Sequence, residues 1–250
     1  DVDHQYAKPV FEEYPQAISP DQGYLASANQ EPLAPEAYPT GGEGISSGSS
    51  SDPDASGDAP SAGAYLGASW TSPWRALRIN ELLRSDSAVT PEAMGRYQRD
   101  PGNPRADHFV PAFLAAADRV DTSEGNRDAV IRAAELLADW DRRYTVENER
   151  AVLFEYAMEA LVDRTWDEFE RLPSGGSGPE RVATPSEAIL LGLLDDPDSP
   201  WWDRRGSPDV VEDAYDILQA SLAEGYEMAV ELHGPPEEGG WRWEDAWAMD

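Results

Sequence analysis

The chain has 250 residues, of which 49 are acidic and 19 basic, so it carries a net charge of −30. A surface this negative repels phosphate backbones and anionic lipid, which argues against nucleic acid and membranes as partners. It has no cysteine, which removes disulfides, thiolate metal sites and a Cys nucleophile, and its three histidines form no His-x-x-x-His zinc pair. No apolar run approaches the roughly 18 residues that a membrane span needs. The start, DVDHQYAKPVF, has no basic segment followed by an apolar one, so no signal peptide is visible. Lys8 is the sole lysine, and the acids are spread along the whole chain. Adaptation to high salt, where screening relieves self-repulsion, accounts for that pattern. Codon bias of a GC-rich genome accounts for it equally.

Residues 1–40 are rich in proline and aromatics and lack a helical period. Within them Gly23-Tyr24-Leu25-Ala26-Ser27-Ala28 is expected to form a short strand that ends at Asn29-Gln30. Residues 41–63, GGEGISSGSSSDPDASGDAPSAG, can bury almost nothing and read as a flexible acidic insertion. From residue 64 to 250 the pattern is helical. Helices are expected at 75–85, 91–99, 105–119, 126–141, 147–172, 186–194 and 208–232. Pro111 is expected to kink the third of these or to mark its true start.

Thr90-Pro91, Thr184-Pro185 and Ser207-Pro208 each place a hydroxyl before a proline, the pattern of an N-cap and first helical residue. Glu187 would complete a capping box with Thr184. The apolar faces are Val130, Ala134, Leu137 and Ala138; then Phe154, Ala157, Leu161, Thr165, Phe169 and Leu172; then Val211, Ala214, Leu218, Leu222, Gly225 and Ala229. The chain is therefore expected to be predominantly α-helical, with one short extended segment near its start, as a piece of a larger α+β fold.

Two stretches carry a resemblance. The first is YPQAISPDQGYLASANQEPLAPEAYP, residues 14–39, and the second is WTSPWRALRINELLRSDSAVTPEAMGRYQRD, residues 70–100. Both resemble the penicillin acylase (penicillin amidase) family of N-terminal-nucleophile hydrolases: a Gly-aromatic-Leu strand running into Ala-Asn-Gln, then an aromatic-Arg pair opening a helix that reads Arg-Ile-x-x-Leu-Leu. Weaker similarity continues through Ala106, Pro111, Trp140-Asp141 and Thr165-Trp166-Asp167-Glu168. The resemblance implies an αββα parent fold, with this chain an internal part of the large (beta) subunit and residues 1–40 part of the hydrolase core.

In that family a self-cleaved precursor exposes an N-terminal Ser, whose hydroxyl attacks an amide carbonyl while its own α-amino group acts as base. Asp1 has neither hydroxyl nor thiol, so the resemblance implies that the nucleophile lies upstream. This chain alone is then expected to be inactive. Its partners would be the small subunit and the rest of the large subunit, and its substrate a small-molecule amide: a β-lactam side chain, an N-acyl homoserine lactone or a related compound. A periplasmic or extracellular location is implied for the parent.

By the same resemblance Asn29 is the oxyanion-hole residue. The chemistry asks for a neutral donor aimed at the developing negative oxygen. Asn is also common in turns for backbone reasons, which is the plainer explanation of that residue. Arg75 matches an arginine that organises the site and binds substrate. It sits in the first turn of its helix, where the dipole disfavours a cation by roughly 0.3–1 kcal/mol, so another use is expected for it. An ordinary ion pair is the alternative, and Arg78, one turn on, competes for the role.

The chemistry requires no cofactor, although the family binds a structural calcium. The run Asp52-Pro53-Asp54-Ala55-Ser56-Gly57-Asp58 has the oxygen-rich start of a calcium loop, but Gly63 stands where a bidentate Glu is needed. The acids Asp195, Asp196, Asp198 and Asp203 read as a solvated loop.

Trp140 and Trp166 are expected to pack in the core, and Trp201, Trp202, Trp241, Trp243 and Trp247 to be core or interface residues more readily than sugar platforms. Two other functions fit parts of the chain: a non-catalytic acidic helical domain that binds a protein partner, and a glycoside hydrolase piece with paired carboxylates. Neither accounts for the ordered motifs around Asn29 and Arg75.

Overall fold

The computed structural model describes residues 18–29, 72–121, 125–169 and 184–246. The acidic insertion, its Asp52–Asp58 loop and Trp247 lie outside them. Eight α-helices are described: α1 (Trp74–Ser85), α2 (Pro91–Tyr97), α3 (Pro104–Ala117), α4 (Arg127–Ala138), α5 (Arg150–Thr165), α6 (Glu187–Leu193), α7 (Ala214–His233) and α8 (Trp243–Ala246). Short 3₁₀ turns follow at Asp167–Phe169, Pro200–Trp202 and Pro236–Glu238. Among the described residues there is no strand, only an isolated antiparallel bridge between Gly102 and Arg143. The chain divides into two compact units, Asp1–Ser87 and Ala88–Asp250.

The second unit is organised around α5 and α7. Its apolar run Ala151-Val152-Leu153-Phe154 continues through Tyr156, Ala157, Met158, Ala160 and Leu161, all buried, so α5 is covered on most of its circumference. α7 packs against α3, α4 and α5, burying Ile217, Leu218, Leu222, Ala223 and Ala229. The crossing is close because Gly225 lies against the α5 backbone: a Cβ there would stand 2.5 Å from the nitrogen of Ala157 and 2.7 Å from its Cα. Interiors are packed too densely to absorb such an overlap.

The aromatic residues seal this core. Trp202 and Trp241 are fully buried, and their indole N–H groups donate to the carbonyls of Asp196 (3.0 Å) and Gly234 (2.9 Å). Trp140 and Trp166 are buried as expected. Trp201 remains 41% exposed and stacks on Phe169, and Trp243 meets Tyr144 edge-on.

Several sequence expectations change here. The segment 23–28 is not a strand; its hydrogen bonds are local, from Gly23 N to Pro20 O and from Gln22 to Tyr24 O, or run to α1 through Tyr24 and Ala28. Thr90 caps α2, its Oγ1 accepting from Ala93 N at 3.1 Å, but the other two proline caps fail. α6 begins after Ser186, and the Glu187 carboxylate that would have closed a box with Thr184 accepts from Arg105 Nη1 at 2.8 Å. α7 begins at Ala214, not at 208, because Asp213 and Asp216 form a reciprocal capping box there. Ser207 Oγ donates to Glu212 in the preceding turn, and Val211, expected on the apolar face, is 86% exposed. In α4 the buried residues are Val130, Ala133 and Leu137, so Ala134 and Ala138 are not the inner face. Pro111 marks no start: α3 opens at Pro104, capped by Asn103 Oδ1, and Pro111 sits exposed within it.

One polar cluster lies inside the second unit. Arg105 from α3 pairs with Glu155 of α5 and with Glu187 of α6 (2.8 Å), and its guanidinium stands 5.3 Å from the Phe154 ring centre. Burial works to lower the Arg105 pKa, but the Glu155 and Glu187 carboxylates outweigh it and hold it above its ordinary value. Tyr144 OH donates to Glu155 at 2.5 Å, and its pKa is pushed well up, first by burial and then by the Glu155 charge. The cluster ties three helices together, with one guanidinium shared between two carboxylates.

Candidate active site: the Asn29–Arg75 pair

The first unit brings the two predicted site residues together. Residues 18–29 approach α1 through a turn closed by Gly23 N donating to Pro20 O at 2.8 Å. Gly23 adopts φ +79, which its missing side chain permits. The segment then runs to Ala28, its one buried residue, and stops at Asn29, which takes φ +60. Asn enters this left-handed region more readily than most non-glycine residues. The backbone explanation for an asparagine here therefore holds, and it leaves the side chain free to do something else.

α1 starts at Trp74, so Arg75 is in the first turn as expected, with Pro73 as N-cap and no side-chain cap or first-turn acid beside it. Arg75 Nη2 donates to Asn29 Oδ1 at 2.6 Å and to Ala28 O at 2.9 Å. These two neutral oxygens are its partners among the described residues, so the ordinary ion pair is not what Arg75 makes there. Arg78 takes that ordinary role, pairing with Glu81 at 2.7 Å on the same helix. A charge-assisted bond of this length is stronger than a neutral one and offsets the dipole cost of a cation at a helix start.

The chemistry of the pair follows from its donors and acceptors. A guanidinium has only donors, so the amide of Asn29 can face it only with Oδ1. That fixes the amide rotamer and leaves both Nδ2 hydrogens on the side away from Arg75. The result is a neutral donor of fixed orientation, backed by a positive charge. Both side chains are exposed in the described structure.

Sequence reasoning did not single out two further residues of this unit, Tyr24 and Asn80. Tyr24 OH donates to Asn80 Oδ1 at 2.9 Å, and Asn80 Nδ2 donates to Ala76 O at 2.8 Å, one turn back on α1. The available signal was Asn80 itself, since asparagine is a poor residue for a helix interior and needs a reason to be there.

The remaining candidates take structural roles. Asp100 Oδ1 accepts from Gly102 N at 2.8 Å, holding the turn before α3. Asp203 Oδ1 accepts from Glu212 N at 3.3 Å, ahead of α7. Among the described residues no group of three or more His, Asp or Glu could hold a metal ion. No helix among the described residues is long and apolar enough to cross a membrane.

The family model described as penicillin amidase matches residues 5–250. A search of curated proteins finds no match.

Proposed function

The chain belongs to the penicillin amidase family, a family of amide hydrolases, and on that premise we propose that Asn29 donates to the oxyanion of amide hydrolysis while Arg75 holds it in place. The observation that carries this reading is the bond from Arg75 Nη2 to Asn29 Oδ1, 2.6 Å long, between residues 46 positions apart. The proposed nucleophile is an N-terminal Ser in another part of the same precursor. Its Oγ bonds to the amide carbon, the carbonyl electrons move onto oxygen, and the C–N bond then breaks as the amine leaves with a proton relayed by the Ser α-amino group. Water cleaves the resulting ester and releases the acid.

Asn29 Nδ2 serves this sequence best when charge peaks on the carbonyl oxygen. A neutral amide donates without titrating, whereas a carboxylate at the same position would repel the oxyanion. Arg75 contributes in two ways: it sets the amide orientation before substrate arrives, and its charge stabilises the negative oxygen at longer range. We further propose a small-molecule amide as substrate, such as a β-lactam side-chain amide or an N-acyl homoserine lactone, and a periplasmic or extracellular setting for the parent.

The test is Asn29→Gly in the full-length enzyme, assayed with a chromogenic acyl amide. Glycine keeps the left-handed backbone and removes only the side chain. The expected outcome is a loss of about 10²–10³ in kcat with little change in KM, because the donor acts mainly in the transition state. An unchanged kcat would remove Asn29 from the site.

A further inference from the structure

We infer that Tyr24 and Asn80 form a latch that positions Asn29 for catalysis, so that they are positioning residues for a reaction neither touches. This rests on the reading of Asn29 and Arg75 given above.

Among the described residues, apolar packing does little to hold the segment 18–29. Of its residues only Ala28 is buried, at 4% exposure, while Ile18 and Leu25 are 85% and 66% exposed. Apolar burial therefore supplies little of its order, and polar contacts must fix its placement. Two sets of such contacts are made with α1. At one end Arg75 Nη2 reaches Ala28 O and Asn29 Oδ1, and at the other Tyr24 OH reaches Asn80 Oδ1. The earlier residue of the segment meets the later residue of the helix, so the segment runs antiparallel to α1.

One attachment alone leaves a pivot; two at different heights on a rigid helix fix position and direction together. The two attachments also differ in quality. The Asn29–Arg75 bond is exposed, where water competes for both groups, whereas the Tyr24–Asn80 bond is partly buried. Asn80 is itself fixed, since its Nδ2 is occupied by Ala76 O, and Tyr24 OH reaches its Oδ1 and, more weakly at 3.4 Å, its backbone carbonyl. The Tyr24–Asn80 contact is therefore a second, partly shielded fixed point, and the exposed Asn29–Arg75 bond depends on it, together with the part-buried Arg75–Ala28 bond, for alignment. Small misplacements of a catalytic donor are costly, because the donor's value lies in its pre-set geometry.

The experiment is a double-mutant cycle in the full-length enzyme, with kcat and KM measured for Tyr24→Phe, Asn80→Leu, Asn80→Asp and Asn29→Gly, and the urea midpoint recorded for each. Tyr24→Phe and Asn80→Leu are expected to lower kcat about tenfold and to move KM by less than about twofold, with unfolding midpoints near wild type. Asn80→Asp keeps an acceptor for Tyr24 but loses the Nδ2 bond to Ala76 O that fixes the side chain, and is expected to fall between wild type and Asn80→Leu. In the Asn29→Gly background Tyr24→Phe is expected to add no further loss, since the latch acts only through Asn29. If Asn29→Gly lowers kcat but Tyr24→Phe does not, the latch is overturned while the site assignment stands. Additive losses overturn it equally. If Asn29→Gly itself leaves kcat unchanged, the site assignment fails and the latch falls with it.

Discussion

The α5–α7 crossing and the Asn29–Arg75 pair are held by opposite kinds of force. At the crossing, Gly225 lies against the Ala157 backbone among fully buried Leu153, Leu161, Ile217 and Leu222. There the stabilisation comes from area removed from water and from dense packing, and nearly every atom has a fixed neighbour. At the pair, one segment with a single buried residue is pinned to α1 by a few hydrogen bonds. The comparison teaches where each kind of substitution should register. Changes at the crossing should appear as lost stability, and changes at the pair as lost turnover with the fold intact.

The largest effect on stability is expected from Trp202→Ala in the second unit. It removes a fully buried indole and its bond to Asp196 O, for about 3–5 kcal/mol. Urea unfolding followed by circular dichroism measures it, and a loss near zero would mean the aromatic core is not what holds the unit. Gly225→Ala comes next. Alanine gains up to about 1 kcal/mol in helix propensity, but the overlap with Ala157 is with backbone that cannot rotate away, and a net loss of about 2–3 kcal/mol is expected. A stabilised variant would show that the helices are not in contact there.

Tyr144→Phe sharpens the same comparison through pH. The raised Tyr144 pKa means that above about pH 10 the unfolded phenol ionises while the folded one stays neutral. The unfolded chain then holds fewer protons, so stability falls as pH rises from there through the folded value. One such group gives a slope of about 1.4 kcal/mol per pH unit, and the Phe variant is expected to lose it while keeping the smaller contribution of Tyr156, whose pKa burial also raises. Unfolding free energies measured between pH 9 and pH 11 decide this, and an unchanged alkaline slope would count against a buried phenol.

Thr90→Ala removes the cap on α2, with an expected cost of about 1 kcal/mol in the same urea assay. The smallest stability effect is expected from Asn29→Gly, about 0.5 kcal/mol or less, because glycine accepts φ +60 without strain. A loss above about 2 kcal/mol there would break the comparison, since the pair would then be part of what holds the fold.

The sequence was most legible where a motif and a local rule agreed. Arg75 matched the family motif and, as a cation in the first turn of a helix, ran against the dipole; in the structure its guanidinium bonds Asn29 and Ala28. Thr90-Pro91 was legible for the same reason, a hydroxyl and a proline both favouring one start. The failures came where two local signals competed. Ser207-Pro208 and Asp213 both resemble helix starts, and only the reciprocal bonds of Asp213 and Asp216 decide for the second. Thr184 lost its partner because Glu187 is drawn into a long-range bond with Arg105, 82 positions away, which no local rule contains.

In α4 Val130 and Leu137 face inward as expected, but Ala133 takes the place expected of Ala134 and Ala138, because alanines occur on both sides of that helix and mark neither. The Tyr24–Asn80 contact spans 56 positions and was invisible for a related reason: only Asn80's poor fit to a helix hinted at it. The strand expected at 23–28 had the right composition, but strands require a partner, and this segment's described hydrogen bonds are local or reach α1.

The central claim is that Arg75 holds Oδ1 of Asn29 so that Nδ2 is presented to the oxyanion. A crystal structure of the full-length enzyme bearing a boronic-acid adduct on its nucleophile tests this most directly, since the tetrahedral boronate oxygen occupies the position of the oxyanion. The account predicts Asn29 Nδ2 at roughly 2.7–3.1 Å from that oxygen, with the Arg75–Oδ1 bond retained. A boronate oxygen bound elsewhere, or an Asn29 amide turned away from it, would contradict the claim.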